Sequence, residues 1–109
     1  MARSIRMAEL YAAMDVDEMQ AQADRMEAAV RYDEAEVARS HARLAALLAA
    51  GYPPGHPNVE SVCFRLREEE SGLRSSIRVW EEVLARVRAK EEEADRAAGR
   101  VAARYAVKN

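Results

Sequence analysis

A single cysteine, Cys63, excludes an intramolecular disulfide and is compatible with a reducing compartment. No apolar run approaches the roughly twenty residues of a membrane span, and the opening MARSIRMAELYAAMDVDE lacks the apolar core and cleavage site of a secretory signal. These absences set the expectation of a soluble, cytoplasmic protein, with secretion lacking a cleavable signal as the alternative. One phenylalanine, one tryptophan and few β-branched residues do not suit a sheet. Four scattered glycines, none in a cluster leading to a lysine, leave no nucleotide loop. Only two lysines accompany fifteen arginines, and the net charge of -2 does not favour general polyanion binding.

The 109 residues are half apolar and a third charged, which suits one small domain. Alanine, glutamate and arginine dominate, so propensity favours helix. Val16, Ala23, Val30, Val37 and Leu44 recur every seven residues, with Met19, Met26 and Leu47 three residues after members of that row. This is the stripe of one long helix that packs on another. Asp33 and Ser40 are its weak, polar layers, and Ile5 and Ala12 carry the phase back toward the amino terminus. Asp15 followed by Glu18 resembles a capping box, so a break near residue 15 is an alternative to a continuous helix over about 5–50.

The segment GYPPGHPN, Gly51 to Asn58, interrupts this pattern. Gly51 suits a left-handed helix end, three prolines prevent simple continuation, and Asn58 or the His56-Pro57 pair starts the next helix. Beyond it Val59, Leu66, Leu73, Trp80, Val87, Ala94 and Val101 repeat every seven residues. Cys63, Ile77, Leu84, Ala98 and Tyr105 form a companion row four residues on, interrupted by Glu70 and Glu91. The second helix covers about 59–107, with a possible break near Gly72.

A reversal over 51–58 predicts an all-α fold: an elongated antiparallel helical hairpin or coiled coil, or a three-helix bundle if the second helix breaks near Gly72. With residue i opposite about residue 108 minus i, Arg39 and Arg43 meet Glu68, Glu69 and Glu70, and Asp33, Glu34 and Glu36 meet Arg74 and Arg78. Arg25 and Arg31 approach Glu81 and Glu82, and Glu18 and Asp24 approach Arg86, Arg88 and Lys90. Exposed pairs contribute only ~0.2–1 kcal/mol each, so the apolar seam decides the fold. Two helices make a thin core. The flank residues Leu48, Val62, Val83 and Ala97 therefore suggest a homo-oligomer or a heteromeric helical partner.

Little in the chain suggests chemistry. His41 and His56 belong to no metal-binding pattern, so neither a metal nor a cofactor is expected, and no catalytic residue is assigned. Cys63 reads as a buried seam residue. Glu70, falling in the apolar rhythm, needs a basic partner, for which Arg39 is the candidate. The protein-binding candidates are Leu48, Tyr52, His56 and Phe64 at the turn end, and the stripe Arg96, Arg100, Arg104 and Lys108 near the carboxyl terminus. Trp80 reads as core.

Within RYDEAEVARSHARLAALLAAGYPPGHPN, the residues Tyr32, Ala35, Glu36 and the Gly55-His56-Pro57 turn resemble part of a tetratricopeptide repeat of the kinesin light chain type, a resemblance that implies protein binding. It covers a quarter of the chain, without a second copy. The length and hairpin outline also look like the small WXG100 proteins of specialised bacterial secretion, which implies a dimerising secreted hairpin; the Trp-X-Gly turn of that family is absent here, where GYPPGHP stands instead. The residues themselves point to a non-enzymatic helical scaffold, adaptor or chaperone subunit. The alternatives are such a secreted hairpin, or a nucleic-acid architectural protein using the basic stripe.

Overall fold

The computed structural model describes residues 15–107, which form two helices, α1 (Val16–Ala49) and α2 (Pro57–Val107). The expected helix ahead of Asp15, with Ile5 and Ala12, and the candidate Lys108 lie outside the described residues. Helix α1 starts where an aspartate can serve its end: the Glu18 N–H donates to Asp15 Oδ1 at 2.7 Å. Asp17 and Glu18 add negative charge to this first turn, where the helix dipole is positive.

The helix ends for the reason its sequence suggests. Gly51 adopts φ +95°, and the N–H groups of Gly51 and Tyr52 donate back to the carbonyls of Leu48 and Leu47 at 3.1 and 3.2 Å. A turn closed by the His56 N–H donating to the Pro53 carbonyl at 2.9 Å follows. Of the two possible starts for α2, the structure uses His56 and Pro57. The Asn58 N–H donates to His56 Nδ1 at 3.1 Å, and Pro57 occupies the first helical position, where no N–H is needed. Gly72 lies inside an unbroken α2, so the described residues form a two-helix hairpin, and the three-helix alternative that required a break near Gly72 does not form. A single glycine costs only ~1 kcal/mol in a helix, too little to break one anchored on both sides by packing.

The described chain divides into two compact units. One is Arg25–Trp80 and contains the turn; the other joins the described residues up to Asp24 with those from Glu81 onward. In the turn-bearing unit Val30 of α1 and Val59, Val62 and Leu66 of α2 are buried; in the other unit Met19, Ala23, Val83 and Val87 are buried.

The α1 seam follows its sequence pattern, but the α2 seam departs from it. Val62 and Val83, expected on outer flanks, are 7 % and 0 % exposed, whereas Cys63, expected in the seam, is only half-buried. The companion row therefore falls three residues after Val59, Leu66 and Trp80, not four. Polar Glu69 and Ser76 disguise that row in the sequence, while Ile77 and Leu84 make the neighbouring one look apolar. Glu70 and Glu91 accordingly stand beside the seam: Glu70 is half-buried and Glu91 exposed.

Candidate functional site

Two hydrogen-bonded layers organise the turn-bearing unit. Ser40, 7 % exposed, donates from Oγ to Glu69 Oε1 at 2.8 Å, with Oε2 at 3.1 Å. One heptad away, Ser76 Oγ donates to Asp33 Oδ2 at 2.8 Å. In both pairs the residue numbers sum to 109, one beyond the expected register. The sequence signals Asp33 and Ser40 as weak layers. It leaves Glu69 and Ser76 unmarked, because a polar residue fits a seam only when its partner faces it.

Surface charges pair mostly along a helix. Arg31 reaches Glu34 at 2.7 Å and Glu27 at 3.6 Å, and lies 5.8 Å from the Trp80 ring centroid. The hydrogen bond to Glu34 and that group's charge, with a smaller share from Glu27, raise the Arg31 pKa above its ordinary value. Trp80 is half-buried in the seam beneath this guanidinium. The proposed Arg39–Glu70 pair does not form. Arg39 binds Glu36 on its own helix, and Glu70 Oε1 lies 3.4 Å from His41 Nε2. Neighbours three or four apart on one helix meet without ordering a second element, which favours them over the cross-helix alternative. Arg86 likewise pairs with Glu82 at 2.9 Å.

At the turn end, Leu48, Tyr52 and Phe64 are exposed, Phe64 most of all at 61 %. Phe64 sits two residues from both Val62 and Leu66, about 200° round the helix from each, so burial of that pair turns it outward. Tyr52 and His56 meet edge to face, with ring centroids 4.7 Å apart and planes at 72°. His56 is half-buried, and its Nδ1 is engaged in capping α2, so it serves the turn as much as any partner. A hollow of about 180 Å³ opens nearby, lined by Arg43, Leu47, Asn58, Ser61, Val62 and Arg65.

The basic candidates Arg96, Arg100 and Arg104 are all exposed, in a stretch of α2 where every residue from 91 to 106 is exposed. Among the described residues, no group of three or more His, Cys, Asp or Glu side chains is placed to hold a metal. No described helix is long and apolar enough to cross a membrane. Comparison with protein-family models, with curated proteins and with solved structures gave no match.

Proposed function

We propose that this chain is a non-enzymatic, cytoplasmic helical interaction protein, a scaffold, adaptor or chaperone subunit, that grips a helical protein partner through its turn end. The observation that carries the reading is the outward-facing Phe64, with Leu48 and Tyr52 also exposed. The end is rigid where it matters. The Gly51 helix end, the Pro53–His56 turn and the His56 cap fix the backbone between Leu48 and Phe64. Little conformational entropy is then lost when the apolar side chains enter a partner's groove. The polar residues spread along helix faces support the same reading, since acid–base chemistry needs titratable groups converging on a pocket.

A photoreactive amino acid placed at Phe64 in the full chain tests this in cells, followed by binding measurements on the purified cross-linked partner. Phe64→Ala and Tyr52→Ala should each weaken that binding by at least about tenfold, as expected for aromatic anchors, with the helical circular dichroism unchanged. Affinity indifferent to both substitutions rejects the turn end as the binding surface.

A further inference from the structure

The hollow at the turn end is lined by an arginine from each helix, Arg43 of α1 and Arg65 of α2. Leu47 and Val62 give it an apolar lining, and Asn58 and Ser61, from the beginning of α2, add an amide and a hydroxyl. None of its lining residues is acidic.

The seam explains why both guanidiniums lack a carboxylate. The register sets Arg43 near Glu68, Glu69 and Glu70, and Glu69 is also four residues from Arg65, the spacing of a helical ion pair. Two of those three carboxylates are engaged elsewhere. Glu69 accepts the Ser40 hydroxyl across the seam at 2.8 Å, and Glu70 lies 3.4 Å from His41 Nε2. One turn before Arg43, Arg39 holds Glu36. Among the described residues Arg43 and Arg65 therefore pair with no acidic side chain, and both are exposed. Two like charges on the walls of one hollow raise its positive potential, which an anion between them relieves.

The lining selects among anions. A guanidinium matches a carboxylate with two parallel N–H donors. Leu47, half-buried, and Val62, buried, leave apolar surface that only a ligand with methylene groups can cover. At about 180 Å³ the hollow is smaller than the roughly 300–1,000 Å³ of small-molecule pockets, and suits a single side chain. A glutamate has both parts: methylenes for Leu47 and Val62, and a carboxylate for the arginines, Asn58 and Ser61. We propose that this hollow receives a glutamate side chain of the helical partner, beside the apolar residues that meet Phe64. The assignment of the glutamate to the partner rests on the turn-end reading, and it adds the chemistry of the partner's segment, apolar with a neighbouring acid.

The test titrates the full chain with N-acetylglutamate α-amide, a probe with one carboxylate, and follows the Arg43 and Arg65 side-chain N–H signals and the Ser61 and Val62 amides by nuclear magnetic resonance. These groups should show saturable shifts that shrink as salt rises, and the glutamine counterpart of the probe should cause none. Arg43→Gln and Arg65→Gln should each weaken probe binding by at least about fivefold. Arg67→Gln, an equal loss of charge at an exposed position about 200° round α2 from Arg65, should leave it unchanged. Circular dichroism checks that the variants keep their helices. On the partner captured through residue 64, Arg43→Gln/Arg65→Gln should weaken binding by at least about tenfold. Shifts that never saturate, or that Arg67→Gln reduces as much as Arg65→Gln does, overturn the proposal in favour of diffuse attraction. A phosphoserine probe binding at least about tenfold more tightly than the glutamate probe replaces the carboxylate with a phosphoryl group. A partner indifferent to the double variant also overturns it. The probe needs no partner, so its result stands apart from the effect of Phe64→Ala on the captured protein.

Discussion

The unit Arg25–Trp80 and the unit formed by the described residues up to Asp24 with those from Glu81 onward are made from the same two helices, yet they use the heptad pattern differently. In the first, apolar layers at Val30, Val59, Val62 and Leu66 alternate with Ser40–Glu69 and Asp33–Ser76. In the second, Met19, Ala23, Val83 and Val87 are buried, and then the α2 pattern runs on into a fully exposed stretch. A polar layer contributes less stability than an apolar one but penalises every register that separates its partners. The turn-bearing unit is thus specified by where its rows of side chains must meet, and the described part of the other by apolar packing.

Substitutions that separate these two uses should differ in size and in sign. The largest effect is expected from Met19→Ala, which removes a fully buried side chain from the second unit and should lower unfolding stability by about 2–5 kcal/mol in urea titrations. A loss below about 1 kcal/mol would mean that this apolar core is far looser than its burial indicates.

Next comes Ser40→Ala in the turn-bearing unit, which leaves the Glu69 carboxylate without its donor and should cost about 1–3 kcal/mol. Adding Glu69→Leu should recover most of that loss, since replacing both partners removes the unsatisfied group. If the double variant is as unstable as the single one, the layer acts through packing and not through its hydrogen bond.

Two glycines give opposite signs at similar size. Gly51→Ala should destabilise by about 1 kcal/mol, because φ +95° strains a side chain even where space is free. Gly72→Ala, in mid-helix with nothing within 4 Å of the added methyl group, should stabilise by about 0.5–1 kcal/mol. Thermal midpoints moving in the same direction would contradict the helix boundaries. The smallest effect belongs to Val101→Ala, which should change the stability of dilute protein by less than about 0.5 kcal/mol, because this valine is half exposed. A larger loss in the dilute chain would show that its exposed face is already covered.

Much of the fold is legible residue by residue. The α1 row from Val16 to Leu44, the helix end at Gly51 and the proline start of α2 each follow from a local rule, and each stands where that rule puts it. The exposure of Phe64 is legible for the same reason, since it lies outside the repeating rows. The second seam is not legible in this way. Ile77 and Leu84 draw attention to the fourth-residue row, while Val62 and Val83 bury the third-residue row. Choosing between them requires knowing that Ser40 faces Glu69 and that Asp33 faces Ser76.

Periodicity, composition and the glycine–proline interruption were enough to determine helix on either side of residues 51–58 and the place where the chain reverses, because helix propensity, capping and proline sterics act over a few neighbouring residues. Only the tertiary structure decided which side of α2 faces α1, which carboxylates meet a hydroxyl and which arginines stay on their own helix. Those outcomes depend on partners distant in sequence, and a side chain's cost of burial is set by what it meets.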